Sequence, residues 1–133
     1  MSRIFFDTNL FIYLLEDSGE TGARVTTILE RISERRDDLL TSTLTLAAGD
    51  VAWADRYEKL LNTPGVTLVS FDRSCARTYA QLRQDRTVKA PDAIQLACAA
   101  SAQTDLFITN DERLSRKVVH GIQFITSLER AFL

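Results

Sequence analysis

Short apolar runs that favour strands alternate with helical segments along the whole chain, and this alternation limits the possible folds more than any other feature. The predicted strands are residues 3–6, 39–42, 66–69, 106–108 and 122–124. The predicted helices are residues 10–15, 23–35, 52–61, 72–83, 91–102 and 126–132. Alternating strands and helices form mainly parallel sheets covered on both faces, so we expect an α/β fold with a central sheet of four to five strands.

The length of 133 residues fits one ordinary domain, and we expect the whole chain, residues 1–133, to form it. Every apolar stretch is interrupted by charge, which predicts no membrane span and no signal peptide. Cys75 and Cys98 have no Cys or His near them at metal-ligand spacing. We interpret both as reduced core residues of a cytoplasmic protein.

Acidic residues follow two of the predicted strands. Asp7 comes directly after the strand 3–6, and Asp111 follows the strand 106–108 with Thr109 and Asn110 between. In open α/β sheets, ligands bind outside the carboxyl ends of the strands, so these carboxylates are candidate site residues. The alternative for each is an N-cap of the following helix, which is the commoner role of Asp at such a position.

A third acid begins an unusually apolar helix. Asp92 lies beside Pro91 in the first turn of the helix 91–102, whose remaining residues are almost all apolar. Such a helix is expected to be buried, and a carboxylate that faces the interior is costly unless a cation or hydrogen-bond donors meet it. The alternative is a helix-capping Asp that is stabilised by the helix dipole.

Three carboxylates at one edge of a sheet would repel one another unless a divalent cation lay between them. Mg²⁺, with Mn²⁺ as a substitute, is the natural choice because these ions prefer oxygen ligands. His120 is the only histidine, so a zinc site and a Ser-His-Asp triad both lack their parts.

Three motifs carry a resemblance to a known family. They are FDTN at 6–9, PDA at 91–93 with its Ala-rich helix, and FITND at 107–111. In this order and spacing they resemble the signature of PIN-domain nucleases, above all the VapC-type toxins of bacterial and archaeal toxin–antitoxin pairs. The likeness covers nearly the whole chain and implies a PIN-like three-layer fold.

The resemblance also implies an activity, which is Mg²⁺-dependent endoribonuclease cleavage of RNA by metal-activated water. It implies an RNA substrate, a cognate antitoxin protein and a homodimer. The implied catalytic and metal-binding residues are Asp7, Asp92 and Asp111, and the implied supporting residues are Thr8, Asn9, Thr109 and Asn110.

The chain departs from the family pattern after the second strand. Such proteins usually have a Glu where this chain has Ala48, and Asp50, two residues on, would face another side of the helix. A rival function is therefore a catalytically impaired PIN-like domain that binds RNA or a protein partner without cleavage. A third alternative, a phosphatase or receiver domain on a flavodoxin-like sheet, is disfavoured by the PDA helix.

The net charge of −2 predicts no large basic surface, although bound cations would offset part of the acidic charge of a metal-dependent nuclease. We expect Lys89 and Arg83 to bind RNA phosphates, with solvated surface positions as the alternative. An antitoxin segment is expected in a groove between the helices 10–15 and 23–35, near Phe11, Tyr13, Leu14 and Leu29.

Overall fold

The computed structural model describes residues 2–16, 19–47 and 49–131. Its strands are Arg3–Phe6 (β1), Asp38–Ser42 (β2), Val66–Val69 (β3), Thr104–Thr109 (β4) and Ile122–Ser127 (β5). Its α-helices are Thr8–Leu15 (α1), Glu20–Arg35 (α2), Thr43–Leu46 (α3), Val51–Leu61 (α4), Arg73–Leu82 (α5) and Ala90–Ser101 (α6). A 3-10 turn spans Leu114–Arg116.

The five strands form one sheet in the order β3-β2-β1-β4-β5, and all four pairings are parallel. The chain builds outward from β1 to β2 and β3 on one side, and then adds β4 and β5 on the other. The order therefore reverses between β1 and β4, which is where such sheets leave a crevice at their carboxyl edge. The structure confirms the predicted α/β fold.

The alternation of side chains along β1 divides the interior into two cores. Phe5 packs with Leu96 and Ala97 of α6 on one face of the sheet. Ile4 and Phe6 lie on the other face, in a core shared with α1, α2 and α4. Both faces of the sheet are therefore covered by helices, as strands buried on both sides require.

The predicted closing helix 126–132 is wrong over the described residues. Thr126 and Ser127 extend β5 and pair with Ile108 and Thr109 of β4. The Leu128 amide then donates to the Thr109 carbonyl at 2.8 Å, so Leu128 also remains bonded to β4. Helical propensity over so short a segment is weak, and strand pairing overrides it.

Other local predictions met mixed outcomes. The family pattern implied a helix after the second strand, and the short helix α3 lies there, although it ends at Leu46. The polar residues 17–19 also predict the end of the first helix, and residues 17 and 18 lie outside the described residues. Cys75 and Cys98 are buried and free, as predicted. Within the described parts of the chain, no helix is long and apolar enough to cross a membrane.

Candidate active site

Asp7 lies where β1 ends and α1 begins. Its side chain N-caps α1, because Oδ1 accepts a hydrogen bond from the Thr8 amide at 2.8 Å. Its other oxygen, Oδ2, accepts from the Thr109 hydroxyl at 2.7 Å. Only 5% of Asp7 is exposed, so a carboxylate that could have been an ordinary surface cap is instead held inside the protein.

Thr109 at the end of β4 joins the first and third predicted acids. Its hydroxyl donates to Asp7 and accepts from the Asp111 amide at 3.1 Å. The Asp111 carboxylate accepts from the Arg113 amide at 2.9 Å and lies 3.5 Å from the Arg113 guanidinium. The neighbouring ends of β1 and β4 therefore place Asp7 and Asp111 on either side of one buried threonine.

Asp92 lies in the first turn of α6 and is partly buried. It lines the same cavity as Asp7, which has a volume of about 250 Å³. The other residues that line this cavity are Thr8, Asn9, Leu44, Pro91 and Gln95. The structure thus brings the predicted acid of the PDA motif to the cleft that Asp7 enters from β1.

The three carboxylates influence one another electrostatically. Burial, and to a smaller extent the charges of Asp92 and Asp111, raise the pKa of Asp7 to about 6 against the hydrogen bonds that lower it. Burial and the charge of Asp111 also raise the pKa of Asp92, although Arg113 and Lys89 oppose this. Burial acts to raise the pKa of Asp111 too, but its hydrogen bonds from Arg113 hold that pKa below the usual value.

The raised pKa of Asp7 predicts a pH-dependent cost to stability. The folded protein binds this proton more tightly than the unfolded chain, so the ionised carboxylate destabilises the metal-free fold above about pH 6. The difference from the ordinary value of 3.8 corresponds to about 3 kcal/mol. The cost fades as the pH falls towards 3.8, because Asp7 is then protonated in both states.

Asp7→Asn removes this charge and keeps an oxygen that can cap α1. In urea unfolding with EDTA at pH 7.5, we expect the variant to be more stable than the wild type by about 2–3 kcal/mol. The gap should close near pH 4. An equal gap at both pH values would show that ionisation of Asp7 is not its cause.

The donor set fits a hard divalent cation. All three side chains offer carboxylate oxygens, and charge that is costly when buried becomes favourable beside such an ion. Among residues 2–16, 19–47 and 49–131, however, no group of three or more His, Cys, Asp or Glu side chains forms a ready-made metal cage. Mg²⁺ commonly uses only one or two carboxylates and keeps several waters, so the arrangement suits it.

The predicted supporting residues occupy different positions around the cleft. Thr8 supports Asp7 through its backbone amide, whereas its hydroxyl bonds with Thr45 and Gln95. Asn9 lines the cavity, and the Asn110 amide donates to the Tyr13 hydroxyl at 2.7 Å.

The two residues predicted to bind RNA are both exposed. Lys89 is exposed, immediately before α6, and its charge reaches Asp92, whereas Arg83 is exposed at the end of α5. Ala48, where the family pattern predicts Glu, lies outside the described residues. Asp50 caps α4 by accepting from the Trp53 amide at 2.9 Å.

Sequence reasoning missed a buried polar cluster beside the acids, formed by Thr8, Thr41, Ser42, Thr45 and Gln95. One signal was available. Gln95 is the one amide within the apolar run 93–100, and a buried amide in such a helix requires partners.

A comparison with protein-family models decides the classification. The model of the PIN domain matches residues 4–119, a span that includes all three acidic motifs. The chain belongs to the PIN domain family. A search of curated proteins found no significant match for this PIN domain.

Solved structures with the same fold include three toxin–antitoxin complexes. VapBC2 from Rickettsia felis, bound to a promoter DNA fragment, matches with a TM-score of 0.70 and 12% identity, over 94% of this chain and 98% of that chain. A toxin–antitoxin complex from Klebsiella pneumoniae matches with a TM-score of 0.67 and 24% identity, over 90% and 94%. DNA-bound VapBC from Salmonella typhimurium matches with a TM-score of 0.65 and 20% identity, over 96% and 99%. At these identities the similarity establishes the fold of this PIN domain.

Proposed function

We propose that this PIN domain is a Mg²⁺-dependent endoribonuclease and the toxin of a toxin–antitoxin pair. The observation that carries the proposal is the buried carboxylate of Asp7, which is coupled to Asp92 and Asp111 at the carboxyl edge of the sheet. A fold that needed only a helix cap at this position would have no reason to bury an acid near two others. Membership of a family of nucleases supports the same conclusion.

Asp7, Asp92 and Asp111 would hold Mg²⁺, or Mn²⁺ in its place. When bound, such an ion activates water and stabilises the charge that develops on a phosphodiester. The protein's own contribution is to orient the ligands. Thr109 fixes one oxygen of Asp7 and the backbone of Asp111, so both acids are positioned before the cation arrives.

RNA would approach across the exposed cations near the cleft. Two of the basic residues in this region are already paired, because Lys117 lies 2.8 Å from Asp85 and Arg113 lies 3.5 Å from Asp111. Lys89 is the best placed to bind a phosphate, since it precedes the helix of Asp92. Arg83, at the end of α5, would bind a further phosphate of the same RNA.

The toxin proposal gains support from the neighbouring structures, which are toxin–antitoxin complexes. The predicted antitoxin groove needs one correction, because Phe11 is completely buried and has no surface to offer a partner. Tyr13, Leu14 and Leu29 are only partly buried and retain surface for a partner. We keep the apolar part of an antitoxin segment in the predicted groove between α1 and α2, and we retain a homodimer in the cytoplasm as part of the proposal.

Two observations favour a second candidate, a PIN-like domain that binds RNA or a protein partner without cutting. Over the described residues, the three acids do not form a complete metal cage, and the family's Glu is replaced by Ala48. Loss of one acid would weaken metal binding and activity while leaving the fold intact.

An RNA cleavage assay separates the two candidates. Purified protein is incubated with labelled single-stranded and structured RNA in Mg²⁺, Mn²⁺ or EDTA, and the product ends are determined. We expect cleavage with either metal, none with EDTA, and products with 5′ phosphate and 3′ hydroxyl ends. RNA binding without cleavage in either metal would favour the second candidate, and cleavage in EDTA would contradict both.

A further inference from the structure

We infer that Thr45 and Gln95 are positioning residues that fix the cleft between Asp7 and Asp92; this inference rests on the proposed metal-dependent function. Gln95 lies three residues after Asp92, and Thr8 directly follows Asp7. The amide of Gln95 donates to the hydroxyls of both Thr8 and Thr45. A buried hydrogen-bond network therefore joins the helix that carries one acid to the helix that the other acid caps.

The direction of the hydroxyl hydrogen bonds can be worked out by starting at the Phe6 carbonyl, which lies farthest from the cavity along the network. Thr41 donates to the Phe6 carbonyl at 3.3 Å, because a carbonyl can only accept. Thr41 must then accept from Thr45, with 3.1 Å between their hydroxyl oxygens. Thr45 has thereby used its only proton, so Thr8 must donate to Thr45 across 2.9 Å. Thr45 also accepts from Gln95 at 3.1 Å.

The near end of the network closes in the same way. Gln95 donates to Thr8 and Thr45 through Nε2, and its carbonyl oxygen Oε1 accepts from the Ser42 hydroxyl. Both protons of the Gln95 amide are thus used. The hydroxyl of Thr45 is the central group of the network, here called its node, since it donates one hydrogen bond and accepts two. Reversing the bond between Thr8 and Thr45 would cost Thr45 its bond to Thr41, because a hydroxyl has one proton to donate.

Burial makes this arrangement rigid. Thr41, Ser42 and Thr45 are fully buried and only 2% of Gln95 is exposed, so loss of a partner among these four residues leaves a buried polar group unpaired. The network joins the end of β2 to α3, α6 and the first turn of α1, and the last three elements contribute residues to the cavity of the acids. Its loss would leave the separation of Asp7 and Asp92 less well defined, and metal binding is sensitive to such support.

Thr45→Val tests the inference because valine keeps the shape and removes the node. We expect the Mn²⁺ dissociation constant, measured by isothermal titration calorimetry on folded protein, to rise by about 10-fold or more. In RNA cleavage, kcat should fall by about 10-fold with KM unchanged, since Thr45 itself does not line the cavity of the acids. Thr45→Ser retains the hydroxyl and should restore most of the metal affinity and of kcat.

Thr104→Val is the matched control. Thr104 is equally buried and its hydroxyl donates to the Ala99 carbonyl at 2.8 Å, at the opposite end of β4 from Thr109. Its replacement should lower Tm by several degrees, as we also expect for Thr45→Val, with Mn²⁺ affinity unchanged. Equal Mn²⁺ affinity in Thr45→Val and Thr104→Val would overturn the inference and show that the network serves stability alone.

The same experiment distinguishes this inference from the proposed function. A wild-type protein that binds Mn²⁺ but cuts no RNA removes the nuclease proposal, and the ratio of Mn²⁺ affinities between Thr45→Val and Thr45→Ser then decides the inference by itself. A wild-type protein that cuts RNA while all three variants share its metal affinity and kcat supports the nuclease and overturns the positioning role. A wild type without Mn²⁺ affinity overturns both.

Discussion

Asp7→Asn is expected to abolish Mg²⁺-dependent RNA cleavage while leaving the fold intact. The amide keeps the size of the side chain and an oxygen that can accept from the Thr8 amide, so α1 retains its cap. It loses the charge that would hold the cation. Because replacing a residue that merely supports a metal ligand costs roughly 10–100-fold, we expect the rate to fall by more than about 100-fold.

Asp72→Asn provides the control for this prediction. Asp72 also caps a helix, by accepting from the Cys75 amide at 3.0 Å, but it is exposed and begins α5. We expect its replacement to leave the cleavage rate within about twofold of the wild type, as for a surface substitution away from the site. Circular dichroism and urea unfolding would confirm that both variants fold. Full activity in folded Asp7→Asn would show that the chemistry lies elsewhere.

Phe107→Ala is expected to cause a large loss of stability. Phe107 on β4 and Phe5 on β1 are completely buried and pair in register, and their rings stack with centroids 5.2 Å apart and an interplanar angle of 9°. Truncation removes the transfer free energy of a large side chain and leaves a cavity between the sheet and α6. We expect the free energy of unfolding to fall by about 3–5 kcal/mol.

Phe124→Ala is the matched control on the neighbouring strand. Phe124 lies on β5, at the edge of the sheet, and is 63% exposed. Its truncation removes little buried area, so we expect a change within about 0.5 kcal/mol. Urea unfolding measures both variants, with the denaturant slope as a check that each transition remains two-state. Losses of similar size would contradict the packing that we assign to the two central strands.

Much of the fold could be predicted because hydrophobic periodicity is a local property of the sequence. The run Ile4 to Phe6 predicted β1, and the polar residues after it predicted the start of α1 at the sheet edge. The closing helix failed because Thr126 and Ser127 carry little local preference, and their pairing with β4 is a long-range contact. Local patterns cannot register such a contact.

The candidate site was predictable to a different degree. Asp7, Asp92 and Asp111 could be chosen because each follows a strand or begins a buried helix, and the structure places them within electrostatic reach of one another. Their roles as ligands remain a prediction. The partners of Gln95 could not be predicted, because Thr8 lies 87 residues away in sequence and Ser42 lies 53 residues away.

The central claim is that the cleft of Asp7 and Asp92 is a divalent-metal site. Anomalous diffraction from crystals soaked in Mn²⁺ tests it most directly, because the anomalous signal locates the ion without reference to activity. We expect a Mn²⁺ peak within inner-sphere reach of Asp7 or Asp92, and within one water of the other, that is absent from Asp7→Asn crystals. A peak elsewhere, with the two carboxylates more than about 8 Å apart, would contradict it, since ligands at 2.0–2.1 Å could not join them even through a water.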